Sequence, residues 1–125
     1  FGDLGRLSRA DGIFYNGLHL EGRMTEVFEG LERKKPIFAV ASSVRKELLR
    51  APPEFEGQYD PHIWFDVSLW IQATESVATG LTKLRKEKES YFHDRRKSYV
   101  VELETLNKWV KEQVELIPIE RRVLI

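Results

Sequence analysis

Short apolar runs alternate with helical patterns through the first part of the chain, and this alternation constrains the fold more than any other feature. Residues 12–16 (GIFYN) and 37–41 (IFAVA) are apolar runs of strand length. Residues 24–34 between them, and residues 4–10 before them, carry apolar side chains at helical spacing. Strands separated by helices pair in parallel and are covered by those helices. We therefore expect an α/β fold, built on a parallel sheet with helices on both faces.

Two long helices are predicted after this alternating part. Residues 67–84 repeat their apolar side chains at helical spacing, and Asp66 stands at the expected N-cap. A second helix is predicted from about residue 88 to residue 116, where Pro118 stops it. The stretch 51–62 before them contains three prolines and a glycine, which indicates a loop.

Two smaller elements complete the predicted order. Ser42 and Ser43 are placed to cap a short helix that continues through Leu49. The apolar run 121–125 (RRVLI) is predicted to form a third strand.

Composition excludes several kinds of site. The 125 residues include no cysteine, so disulfides, thiolate metal sites and thiol nucleophiles are excluded. The 20 basic and 20 acidic residues balance, so no global field favours nucleic acid or an anionic membrane. The basic stretch 83–97 is interrupted by three acidic residues, which disfavours nucleic-acid binding there. No apolar run reaches transmembrane length.

The three histidines differ in where they fall. His19 follows the first predicted strand, and His62 lies in the loop after the second strand and its short helix. Ligands of parallel sheets bind beyond the carboxyl ends of the strands, so these two are candidate metal ligands. Imidazole suits zinc, copper, iron and nickel, and manganese in mixed nitrogen and oxygen sites. His93 lies among charged residues on a predicted helix and is read as solvated.

The segment 60–66 (DPHIWFD) gives His62 a stiff setting. Pro61 fixes its own φ and pushes Asp60 toward an extended conformation, which lowers the entropy cost of presenting the imidazole. Asp60 and Trp64 are the candidate supporting residues around this imidazole. Trp64 and Phe65 either shield the site from water or belong to the core, and the two interpretations are compatible.

Three segments resemble the metal-specific solute-binding proteins of bacterial ABC importers, the zinc- and manganese-binding members. They are residues 2–22, which end in the motif NGLHLEG, residues 60–67 (DPHIWFDV) and residues 120–125 (ERRVLI). The resemblance implies two α/β lobes joined by one long helix, with the metal held between the lobes. It matches His19 and His62 to the two histidines of the first lobe and places the remaining ligands beyond the chain.

On this resemblance the chain divides into three parts. Residues 1–93 correspond to the N-terminal α/β lobe, incomplete at its start. Residues 94–117 correspond to the long connecting helix, and residues 118–125 to the first strand of a truncated second lobe. We expect a fragment that carries half of the metal site.

The implied function is capture rather than catalysis. A divalent metal ion, Mn²⁺ or Zn²⁺, would be bound in the periplasm or at the outer face of the bacterial cytoplasmic membrane and delivered to the membrane permease of an ABC transporter. Membrane association would require a lipid anchor or the permease, both outside this chain. The loop 51–60 contains no histidine, unlike that of many zinc-scavenging members, which favours manganese or a mixed site.

Two alternatives stay open at this point. The first is a cell-adhesion or interaction lipoprotein, because some members of the family were first described as adhesins. The second is a metal-dependent hydrolase with Glu21 or Asp66 as general base, although no HExxH or Ser-His-Asp pattern accompanies them.

Overall fold

The computed structural model describes residues 2–123. Both strands of the alternating part and all four helices lie where the sequence predicts them. They are α1 (Gly2–Arg9), β1 (Ile13–Tyr15), α2 (Met24–Glu32), β2 (Ile37–Ala39), α3 (Val67–Leu84) and α4 (Glu89–Glu115). The loop 51–62 is confirmed too and contains one 3₁₀ turn, Pro53–Phe55.

The two strands form a parallel sheet joined by α2. Ile13 pairs with Ile37, Phe14 with Phe38 and Tyr15 with Ala39. Parallel neighbours need a crossover, and the helical pattern of residues 24–34 supplies it. Both strands therefore end at the same edge, where the loops that carry the histidines begin.

Helices cover both faces of this sheet, as predicted. The rings of Phe14 and Phe38 stack with centroids 4.9 Å apart. They lie under Gly80 of α3, where an added Cβ would be 2.6 Å from the Phe14 ring and 3.0 Å from the Phe38 ring. Tyr15 points to the opposite face and its ring centroid lies 4.9 Å from that of Phe28 in α2. The missing side chain at Gly80 thus sets how closely α3 approaches the sheet.

The core lies between α3 and the segment that follows β2. Its buried residues are Val40, Ala41, Val44, Ile63, Leu69 and Ala73. Asp66 caps α3 as predicted, because its carboxylate accepts from the backbone N–H of Ser68 at 2.8 Å. Ile63 is 2% exposed, so its side chain anchors the loop beside His62 in the core.

The predicted helix from Ser42 through Leu49 is wrong. The segment forms two separate 3₁₀ turns, Val40–Ser43 and Lys46–Leu48, divided by extended residues. Neither serine caps a helix. Ser43 donates its hydroxyl to the carbonyl of Gln72 at 2.6 Å, and the hydroxyl of Ser42 lies 3.1 Å from that of Ser76. Both hydroxyls form hydrogen bonds with α3, so neither is available to cap a helix in this segment.

α4 changes character along its length. Its first half packs on α3, where Arg96 donates to Thr74 at 3.1 Å and pairs with Glu75 at 3.1 Å. Leu103 is buried, whereas every residue from 111 to 120 is exposed. Within residues 2–123, no helix combines the length and the apolar composition that a membrane span requires.

The predicted third strand at 121–125 is only partly covered by the structure. Arg121 ends a 3₁₀ turn, Ile119–Arg121, and residues 122 and 123 have no regular structure. Residues 124 and 125 lie outside the described residues. The strand, and the division into residues 1–93, 94–117 and 118–125, remain predictions.

Candidate metal centre

The loop after β1 is held in a strained shape by one carboxylate. Gly17, Leu18 and His19 have φ values of 86°, 54° and 63°, a run of left-handed residues that costs non-glycine side chains about 1–2 kcal/mol each. Glu21 offsets this cost, because its two carboxylate oxygens accept from the backbone N–H groups of Asn16 at 2.6 Å and Gly17 at 3.1 Å. The conformation of this loop is therefore fixed by specific hydrogen bonds.

His19 projects from this loop into a shallow hollow. The hollow is also lined by Tyr15, Gln58 and Tyr59. The His19 residue is exposed. Burial of the neighbouring Tyr15, with the negative charge of Glu21 nearby, raises the pKa of the Tyr15 phenol. Tyr15 is therefore a neutral hydroxyl on this side of the sheet edge.

His62 occupies the centre of a very tight turn. The N–H of Ile63 donates to the carbonyl of Pro61 at 2.8 Å. His62 itself has φ −80° and ψ 48°, the conformation of an inverse γ-turn. Pro61 and Ile63 are buried on either side of it, while His62 is exposed. The turn therefore exposes the His62 side chain between two buried residues.

Asp60 aims this imidazole. One carboxylate oxygen of Asp60 lies 2.6 Å from Nδ1 of His62 and also accepts the His62 backbone N–H at 3.0 Å. That backbone hydrogen bond, followed by the bond to the ring, lowers the pKa of the Asp60 carboxyl against the opposing effect of its partial burial. An ionised Asp60 holds the proton of a neutral imidazole on Nδ1. The lone pair of Nε2 is then free to bind a metal ion.

Aromatic rings surround the imidazole. The ring centroids of Trp64, Phe65 and Phe55 lie 5.2, 6.3 and 6.4 Å from that of His62. Phe65 is 79% exposed and Trp64 39%, so neither belongs to the core. Trp70, by contrast, packs against the core. The core interpretation of Trp64 and Phe65 therefore does not hold, and their role as a shield remains a prediction.

The two histidine loops touch, but His19 and His62 line different hollows. The side-chain amide of Asn16 donates to the carbonyl of Pro61 at 3.1 Å and joins the loops. His62 lines a hollow with Leu49, Arg50 and Phe65, separate from that of His19. In the part of the chain that the structure describes, no three His, Asp or Glu side chains are grouped to hold a metal ion. These residues offer individual donors, not a complete site.

His93 lies outside this region, on α4. Its Nε2 is 4.0 Å from a carboxylate oxygen of Glu89, one helical turn earlier. This is an exposed pair of the kind that stabilises a helix by a few tenths of a kcal/mol.

The sequence did not single out Asn16. The one available signal is the pair Asn16–Gly17 placed directly after a buried strand, which indicates a sharp turn at the sheet edge. Nothing in that signal says which distant carbonyl the asparagine side chain reaches.

The chain is similar over nearly all of its length to proteins of one known family. The family model described as "zinc-uptake complex component A, periplasmic" matches residues 2–125. The zinc-binding protein TroA of Treponema pallidum is 40% identical over 124 residues, and the manganese-binding lipoprotein MntA of Bacillus subtilis is 36% identical over 125 residues. Each alignment covers 99% of this chain, which spans 40% of the length of each relative.

Solved structures show the same fold. The periplasmic zinc-binding protein TroA of Treponema pallidum superposes with a TM-score of 0.92 at 38% identity, over 98% of this chain and 44% of that one. The Fe(III)-bound protein YtgA of Chlamydia trachomatis superposes with a TM-score of 0.82 at 28% identity, over 98% and 43% of the two chains.

Proposed function

This chain belongs to the periplasmic zinc-uptake complex component A family, and on that premise we propose that it takes part in capturing a divalent transition metal outside the cytoplasm for an ABC import permease. The family consists of binding components of importers rather than enzymes. The metal ion is cargo, held by side chains and then released to the membrane partner. The periplasm, or the outer face of the cytoplasmic membrane, is where such a component works.

One observation carries the proposal, the Asp60–His62 pair. A carboxylate bound to one imidazole nitrogen is the arrangement that prepares the other nitrogen for a metal ion, because it fixes both ring orientation and tautomer. The pair sits past the carboxyl ends of the two strands, where α/β folds bind ligands. His62 is therefore the donor that we assign to this chain first.

His19 is the second proposed donor, on the resemblance of its motif. What supports it is its position directly after β1 and the bond that ties its loop to the His62 loop. What separates it from His62 is the different hollow that it lines and the lack of a carboxylate bound to its ring among the hydrogen bonds of residues 2–123. Variants of the two residues must therefore be tested separately.

The proposed cargo is Mn²⁺ or Zn²⁺. One relative is named for zinc and another for manganese at similar identity. Nitrogen donors bind zinc more tightly than manganese, so a preference for manganese would have to come from geometry and from oxygen ligands.

The two candidate bases of the hydrolase alternative both have structural roles. Glu21 spends its two carboxylate oxygens on the backbone N–H groups of Asn16 and Gly17. Asp66 caps α3 through Ser68. Both carboxylates thus have structural roles in the fold, and these roles do not support either residue as a general base.

The test is a titration of the chain with Zn²⁺ and Mn²⁺, followed by NMR signals of labelled histidine rings, which detect weak binding as well as tight. We expect Zn²⁺ to shift the His62 ring signals first and His62→Ala to abolish the response. His93→Ala is the matched control and should leave the titration unchanged. Loss in His19→Ala would confirm the second donor, and an unchanged titration would remove His19 from the site. Equal loss from His93→Ala, or a response that survives His62→Ala, contradicts the proposal.

A further inference from the structure

The carbonyl of Pro61, the residue before His62, is held by two hydrogen bonds. It accepts the Ile63 N–H that closes the γ-turn at 2.8 Å and the Asn16 side-chain amide at 3.1 Å. Proline has no N–H, so this carbonyl is the polar group through which residue 61 can be held. Any movement of the Pro61 carbonyl moves the turn, and with it the imidazole.

Asn16 is itself held from two sides. Its backbone N–H donates to Glu21 at 2.6 Å, and its carbonyl accepts from the N–H of Ala41 at 3.0 Å, just past β2. Asn16 follows the last residue of β1, so its Cα stands at the edge of the sheet. The residue is half-buried. The side chain therefore starts from a rigid position, which is what a support requires.

Neither a carboxylate nor a hydroxyl could replace the side-chain amide of Asn16 without loss of a hydrogen bond. It donates to the carbonyls of Gly17 at 2.9 Å and Pro61 at 3.1 Å. Two carbonyl acceptors require two N–H donors on one atom, which an amide nitrogen has and a carboxylate or a single hydroxyl does not. The chemistry of the partners thus calls for a side-chain amide at this position.

We propose that Asn16 is the positioning residue of the metal-binding histidine, because its amide ties the edge of the sheet to the γ-turn that presents His62. It does not touch the metal ion. Its hydrogen bond joins the sheet edge to the turn that contains Asp60 and His62, although Asn16 and Pro61 are 45 residues apart in sequence. This inference uses the proposed function only in stating what His62 binds.

Asn16→Asp is the sharpest variant, because it keeps the shape and sets an oxygen against the two carbonyl oxygens. The sequence contains one other asparagine, Asn107 on α4, which is half-buried as Asn16 is, so Asn107→Asp repeats the same chemical change as a matched control. Without metal, we expect Asn16→Asp to move the ring and backbone signals of residues 60–63 while Asn107→Asp leaves them in place. With Zn²⁺ alone as probe, we expect about a tenfold loss of affinity for Asn16→Asp and none for the control.

A second measurement does not depend on any variant folding. In the unaltered chain, nuclear Overhauser contacts should connect the Asn16 side-chain amide to Pro61 and His62. Absence of those contacts, or His62 signals that stay in place in Asn16→Asp, overturns the inference. If the unaltered chain binds no Zn²⁺, the proposed function fails, and the metal-free signals of residues 60–63 still decide the role of Asn16.

Discussion

The segment Asp60–Pro61–His62 does its work through three different kinds of constraint. Proline restricts the backbone, the γ-turn raises the imidazole from a buried frame, and the carboxylate fixes the ring at 2.6 Å. A histidine on a freely rotating side chain would have to lose that freedom when it binds a metal ion. Here the loss has already occurred during folding, so it does not weaken binding.

Removing the carboxylate should therefore weaken metal binding without unfolding the protein. We expect Asp60→Ala to lower Zn²⁺ affinity by about 10- to 100-fold, the range seen when such supporting partners are removed. Asp60→Asn should lose less, since its amide oxygen still accepts from Nδ1 but lacks the charge. A competitive chelator titration measures both.

Asp94→Asn, on the exposed surface of α4, is the control for loss of one negative charge. An effect as large as that of Asp60→Ala would mean that overall charge, not orientation of His62, determines affinity.

At the scale of elements, the position of the site depends on how closely α3 lies on the sheet. Phe14 and Phe38 stack under Gly80, and any side chain there would enter the space of both rings. α3 in turn packs against the segment after β2 and against the turn that holds Ile63. The contact at Gly80 thus helps set the distance between the sheet edge and the His62 turn.

Gly80→Ala should destabilise the protein by about 1–3 kcal/mol, the cost of forcing a methyl group into a filled core. Chemical denaturation measures the change in unfolding free energy. Gly30→Ala is the matched control, because Gly30 is also helical and an added Cβ there meets nothing within 4 Å. That variant should gain about 0.5–1 kcal/mol from helix propensity. If both variants behave alike, the close approach of α3 is not what Gly80 provides.

At the scale of the whole molecule, the C-terminal part of α4 differs from the rest of the structure because it lacks tertiary packing. Up to Leu103 the helix rests on α3, and beyond residue 110 its side chains face solvent in this structure. A helix without tertiary packing is marginal in water, because propagation gains little over the cost of ordering the chain.

Amide hydrogen exchange should report this division directly. We expect slow exchange in α3 and in α4 up to about residue 104, and exchange that becomes steadily faster from residue 111 to residue 115. Uniform protection through Glu115 would show that the end of α4 is covered in solution, by a second copy of the chain, for instance. Measurement at two protein concentrations separates that explanation from intrinsic helix stability.

Local periodicity was enough to locate both strands, all four helices and the N-cap at Asp66, because each depends on residues a few positions apart. It failed at Ser42 and Ser43, whose hydroxyls bind α3 about 30 residues later instead of capping the next turn. It also left Trp64 and Phe65 undecided between core and site. In the structure the neighbouring Ile63 occupies the core, and Trp64 and Phe65 are exposed. Sequence alone does not show which of the three residues is buried.

The stiff setting of His62 was likewise predicted from the order of residues, because Pro61 restricts the backbone next to it. The γ-turn and the bond from Asp60 to the ring came from the structure. Only the folded chain could show that the Asn16 amide reaches the Pro61 carbonyl, and that His19 and His62 line separate hollows. Sequence spacing specifies which residues share a turn or a helix face. Distances between two loops depend instead on the parallel crossover and on how α3 packs against the sheet, which no local pattern encodes.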